Sequence, residues 1–100
     1  MAGVRRLRGV QKLASFGSTL DHRGIAPRSQ IAATLTKAIG RLRAAEKLPL
    51  DSDSCIEFWG AERCWAHRFT SSLWLYYRVD PSNSDERIIL MAVHDHLHMQ

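Results

Sequence analysis

Imidazoles and arginines are the groups in this chain that can move protons or hold anions, and three of its five histidines alternate near the end. His94, His96 and His98 follow an apolar run, so in a strand all three face one side. With Cys64 or His67 nearby, they offer the imidazole and thiolate types that zinc takes. No Cys-x-x-Cys spacing accompanies them, and the segment lies where strands fray. It is therefore read as a polar strand end, with no metal and no cofactor. A second chemistry is metal-free RNA cleavage. That needs a group to take the 2′-OH proton, one to protonate the leaving oxygen, and cations for the phosphate. Glu57, His67 and His94 are the proton-transfer types, Arg63, Arg68 and Arg78 the phosphate clamps, and Trp65, Trp74 or Tyr76 a stacking surface for a base. For cleavage the residues to back are Arg68, Arg78, His67 and His94. A third chemistry is protein docking, because Trp, Tyr and Arg carry interface energy. Trp59, Trp65, Trp74, Tyr76 and Tyr77 are many for so short a chain, and at least two of them belong to the core.

The elements that must position these groups read as helices first and strands after. Val4, Leu7, Val10, Leu13 and Ala14 recur at helical spacing and predict a first helix over about residues 4–16. Ile31, Leu35, Ile39, Leu42 and Ala45 make a stronger stripe and predict a second over about 28–47. Pro27 or Ser29 starts it, and Pro49 forbids continuation. Strands are predicted at about 55–59, 64–69, 73–79 and 87–94. Trp65, His67 and Phe69 share one face of theirs. Leu73, Leu75, Tyr77 and Val79 alternate with Trp74, Tyr76 and Arg78. Residues 87–94 are apolar on both faces, so that strand is central and covered by the helices on one side. The fold expected is α+β: an N-terminal antiparallel helical hairpin packed on a small three- to four-stranded antiparallel sheet, one domain spanning residues 1–100.

Charge divides the chain. Residues 1–47 carry ten Lys/Arg against Asp21 and Glu46, a net +8, whereas residues 48–100 carry four Arg against eight carboxylates, a net −4. The basic half suits an anionic partner: nucleic acid, an acidic protein segment or a membrane surface. No apolar run approaches the roughly 18 residues that span a bilayer, so no membrane partner is expected. Residues 1–20 are Arg-rich and free of acid, as organellar transit segments are. Their helical spacing favours a first helix instead. Cys55 and Cys64 are too few for a disulfide framework and are read as reduced thiols of a cytoplasmic protein.

Trp65-x-x-Arg68 followed by Leu75-Tyr76-Tyr77-Arg78-Val79-Asp80 resembles the sheet of the RelE/ParE toxin superfamily. There a helical hairpin packs on a small antiparallel sheet. The stretch from Ile88 to Met99, with His94-Asp95-His96-Leu97, resembles the ending of the ParE branch, and Ile39-Gly40-Arg41-Leu42 its second helix. The resemblance implies the toxin half of a bacterial type II toxin–antitoxin pair, cytoplasmic and hetero-oligomeric with a cognate antitoxin. The antitoxin's acidic tail would meet Lys37, Arg41 and Arg43. Between targets, the His94-Asp95-His96-Leu97 ending and the lack of a lysine-rich sheet favour a ParE-like inhibitor that binds DNA gyrase without catalysis. The alternative is a RelE-like, ribosome-dependent messenger RNA endonuclease. In either case Arg63, Trp65, Arg68, Trp74, Tyr76, Arg78, His94 and His96 are the residues expected to bind. A second alternative, outside the family, is a basic nucleic-acid-binding module. The family ordinarily begins with a strand, and none is expected here. The bare sheet edge would then be open to an antitoxin strand.

Overall fold

The computed structural model describes residues 7–58, 61–80 and 86–97, with the side chains of 57, 58 and 61–63 left aside. The elements are β1 (Val10–Lys12), α1 (Ala14–His22), α2 (Gln30–Ala44), β2 (Ser54–Phe58), β3 (Ala61–Arg68), β4 (Trp74–Val79) and β5 (Ile88–His94). They build a five-stranded sheet in the order β1-β5-β4-β3-β2. β5 pairs β1 in parallel, and every other neighbouring pair is antiparallel. The α+β plan holds, but the sheet is mixed and larger than the three to four antiparallel strands expected.

The extra strand lies where a helix was expected. Residues 10–12 pair with β5 in the register Val10↔Ile88 and Lys12↔Leu90, and the first helix starts only at Ala14. Spacing misleads here because three strand residues are too few for a period of two to show, and tertiary pairing overrides local preference. The outer edge of β5 is therefore covered along residues 88–90 by this chain's own strand. α1 ends on Gly24 at φ +68, the left-handed conformation that glycine adopts without strain.

α2 falls within the expected span. The Ser29 side chain accepts the Ala32 N–H at 3.2 Å, closing the N-terminus. Leu35, Ala38 and Leu42 are buried and Ile39 partly so. Ile31 starts the sequence stripe but lies beyond the core and is 41% exposed. The carbonyls just past the end of α2 are taken up by Arg8, itself only 7% exposed. Its guanidinium donates to Ala45 O at 3.2 and 3.0 Å and to Glu46 O at 3.0 Å, and it pairs with the Glu86 carboxylate. A cation at a helix C-terminus meets both the orphan carbonyls and the helix dipole. Arg43 Nε returns a bond to Arg8 O at 2.8 Å. The chain ahead of β1 is thus stitched to the end of α2.

Two apolar clusters hold the layers together. The larger lies between helices and sheet: Phe16, Leu35, Ala38, Leu42, Phe69, Leu75, Tyr77, Ile88, Leu90 and Val93. The smaller occupies the outer face: Ile56, Cys64, Ala66, Tyr76, Met91 and Ala92, roofed by Leu13, Trp74, Ile89 and Leu97. A bulge in β5 sets what each face carries. Tyr76 is opposite Ala92 but Tyr77 is opposite Leu90, so one extra residue enters β5. Val93 thereby turns to the helices and His94 to the outer face beside Tyr76.

Candidate functional site

The residues expected to act together separate onto the two faces of the sheet. Alternation along β3 sends Trp65, His67 and Phe69 one way, as expected, and that way is the helix side. Trp65 packs against the main core. The His67 side chain is 7% exposed, with Nδ1 at 2.7 Å from Asp53 Oδ1. Asp53, whose side chain is fully buried, also accepts the Tyr77 hydroxyl and the Leu50 N–H, the latter at 3.0 Å. Burial, the hydrogen bond to Asp53 and that carboxylate's charge all push the Tyr77 phenol well above its usual range. His67 Nε2 is buried, with no hydrogen-bond partner among the described residues. His67 is thus tied into the core, across the sheet from Arg68 and Arg78.

The outer face carries Arg68, Trp74, Tyr76, Arg78 and His94, with His96 just beyond β5; Arg68, Trp74 and His94 are in register across three strands, whereas Arg78 lies four residues along β4, opposite Ile89. Arg68 lies at 5.4 Å from the Trp74 ring centre, a cation–π contact. Its guanidinium also donates to Thr70 O at 3.2 Å and to Ser71 O, so it braces the β3–β4 turn. Arg78 is half-buried near Cys64, whose thiol is pushed up by burial while the Arg78 charge pulls it down. Cys64 and the exposed Cys55 are on opposite faces of the β2–β3 hairpin, which keeps them from pairing with each other.

The imidazoles cluster at the end of β5. The His94 ring is 4.7 Å from the Tyr76 ring, tilted by 47°, and 5.5 Å from the His96 ring. The Tyr76 hydroxyl donates to His96 O. His96 Nδ1 is 2.8 Å from Asp95 Oδ1, and Arg23 reaches the same oxygen at 3.1 Å. Those two hydrogen bonds, His96 first, hold the Asp95 carboxyl down at about 2. Among the described residues no three His, Cys, Asp or Glu side chains converge as a metal site. The side chains of Glu57 and Arg63, and residues Trp59 and His98, lie outside what is described. On α2, Lys37 and Arg41 are exposed one turn apart, whereas Arg43 is engaged with Arg8.

Asp53 and Arg23 were not singled out from sequence for a site; Tyr77 was named only among the aromatics of a docking surface, and Asp95 only within the ending that carries the resemblance. Asp53 lies in a polar connection, and Arg23 acts only through residues some seventy positions away. The one local signal was Asp95 between two histidines.

No family model and no curated protein matches the sequence. Solved structures do match. The toxin–antitoxin complex RelBE2 from Mycobacterium tuberculosis aligns over 90% of this chain and 99% of that one, at 20% identity and a TM-score of 0.59. A YoeB/ParE toxin from Agrobacterium tumefaciens covers 88% and 98%, at 16% identity and a TM-score of 0.64. A copper-bound mutant toxin from Helicobacter pylori covers 90% and 94%, at 22% identity and a TM-score of 0.59. At such identities the likeness speaks of architecture. With its two helices on a five-stranded mixed sheet, the chain shares the fold of these solved toxins.

Proposed function

We propose that this chain is the toxin of a toxin–antitoxin pair and that it cleaves RNA on the outer sheet face, His94 and His96 moving protons and Arg78 holding phosphate. The observation that carries the reading is the imidazole cluster at the end of β5, with ring centres 5.5 Å apart and anchored by Tyr76 and Asp95. In this cleavage one imidazole takes the ribose 2′-OH proton as that oxygen bonds to the adjacent phosphorus. The P–O5′ bond breaks, and an imidazolium gives its proton to the departing 5′ oxygen. The products are a 2′,3′-cyclic phosphate and a 5′ hydroxyl. The Arg78 guanidinium would offset the charge that gathers on the phosphate oxygens. Trp74 offers ring surface on the same face, whereas Tyr76, expected to stack a base, is fully buried and serves only as an anchor.

A second reading, inhibition of DNA gyrase by binding alone, is favoured by the absence of any lysine in residues 48–100. Both readings take a small acidic antitoxin as partner, supported by the +8 balance of the basic half. Induced expression in bacteria separates them. Cleavage predicts new message ends within minutes, plasmid supercoiling intact, and loss of those ends by roughly a hundredfold or more in the His94→Ala, His96→Ala double variant. Relaxed plasmid with intact messages would reject cleavage in favour of gyrase.

A further inference from the structure

We propose that Arg23 and Asp95 are positioning residues that hold the His96 imidazole in the tautomer protonated on Nδ1, so that its proton-accepting nitrogen is Nε2. How the ring is held stands independently of the RNA-cleaving reading. What Nε2 then does rests on it.

Among the described residues no strand lies beside the edge of β5 beyond Leu90, and α1 runs along it instead. Ser15 Oγ donates to Met91 O at 2.5 Å, Thr19 Oγ1 accepts the Val93 N–H at 3.0 Å, and Arg23 Nε donates to Val93 O at 2.9 Å. Four helical residues advance about 6 Å, and two strand residues advance about 6.6 Å. Ser15, Thr19 and Arg23, spaced by four, therefore keep step with Met91, Val93 and Asp95, spaced by two. The helix supplies from side chains what a sixth strand would supply from its backbone.

The last side chain of that series reaches past the strand. Arg23 spans from Val93 O to Asp95 Oδ1 at 3.1 Å. The same oxygen meets His96 Nδ1 at 2.8 Å. An ionised carboxylate only accepts, so Nδ1 is the donor, and in the neutral ring the lone pair is then on Nε2. From the other side the Tyr76 hydroxyl holds His96 O, and Leu97 packs against the outer cluster. A strand end that would otherwise fray is thus tied down from α1, β4 and the sheet face. Among the described residues, titratable and charged groups that face the ring include Asp95, Arg23, His94 and Tyr76. Asp95 and His96 are each 57% exposed, where an ion pair adds little stability. Its consequence is the direction and tautomer of the ring.

The experiment reads the tautomer directly. Long-range 1H–15N spectra of uniformly 15N-labelled protein at neutral pH should show His96 protonated on Nδ1. Asp95→Asn should shift it toward the Nε2–H form that free histidine prefers, Arg23→Gln should do so in part, and Arg23→Lys should recover some of the loss. Arg28→Gln, an exposed charge control, should leave it unchanged. Wild-type His96 in the Nε2–H form, or an Asp95→Asn spectrum identical to wild type, overturns the proposal. In RNA cleavage assays Asp95→Asn should lower kcat by about tenfold to a hundredfold with KM nearly constant. Wild-type protein that leaves RNA intact rejects the cleavage reading, and the tautomer spectra still decide the positioning.

Discussion

Asp53 shows how a residue in an unremarkable connection becomes a hub. Three donors converge on its buried carboxylate: the His67 imidazole, the Tyr77 hydroxyl and the Leu50 amide. Tyr77→Phe leaves that carboxylate a donor short, and burial prevents water from replacing it. We expect a loss of about 1–3 kcal/mol in urea unfolding. The wild-type protein should also show the linkage. A phenol whose folded pKa is raised binds its proton more tightly when folded, so its contribution is complete below the unfolded value of about 10 and is lost as pH climbs above it. Stability measured from pH 9 upward should fall less in Tyr77→Phe than in wild type. An identical slope would remove Tyr77 from the account. His67 carries the matching lesson about legibility. Alternation correctly grouped it with Trp65 and Phe69, but a period of two cannot say which face the helices cover. That is decided by α1 and α2, and it turns His67 inward.

Among the elements, α2 was legible because fifteen residues repeat one pattern and Ser29 marks its start. β1 was not, because three residues carry no period and its partner is some eighty positions away. The bulge in β5 was equally invisible. It depends on β4 alongside, yet it brings His94 rather than Val93 to Tyr76. Gly17 and Gly40 lie within α1 and α2, and an added Cβ at either would meet nothing within 4 Å. Alanine at each should therefore stabilise the protein by about 0.5–1 kcal/mol through backbone entropy and helix propensity. A higher urea midpoint with unchanged slope checks this, and a fall would reveal a backbone demand at that site. Gly24 is the contrast, since its positive φ makes alanine there destabilising.

Over the whole molecule, the helical half is cationic and the strand half anionic, and the exposed pair Lys37 and Arg41 is the part of the basic surface that α2 leaves available. Arg43 is already committed to Arg8. Lys37→Glu together with Arg41→Glu should weaken binding of the acidic partner proposed above by about tenfold at low salt, with less effect at high salt. Equal binding by both proteins across salt concentrations would move the antitoxin off this face. Sequence alone determined the α+β plan, α2, the pairing of residues 73–79 with 87–94 and the charge division. Each of these rests on local period or composition, which a single chain displays without its partners. Tertiary structure alone decided the parallel β1, the inward turn of His67, the engagement of Arg8 with the end of α2, and the series from Ser15 to Arg23 that carries β5 toward His96. Each joins residues dozens of positions apart, where burial and unpaired backbone groups, rather than neighbours in sequence, determine which side chain meets which.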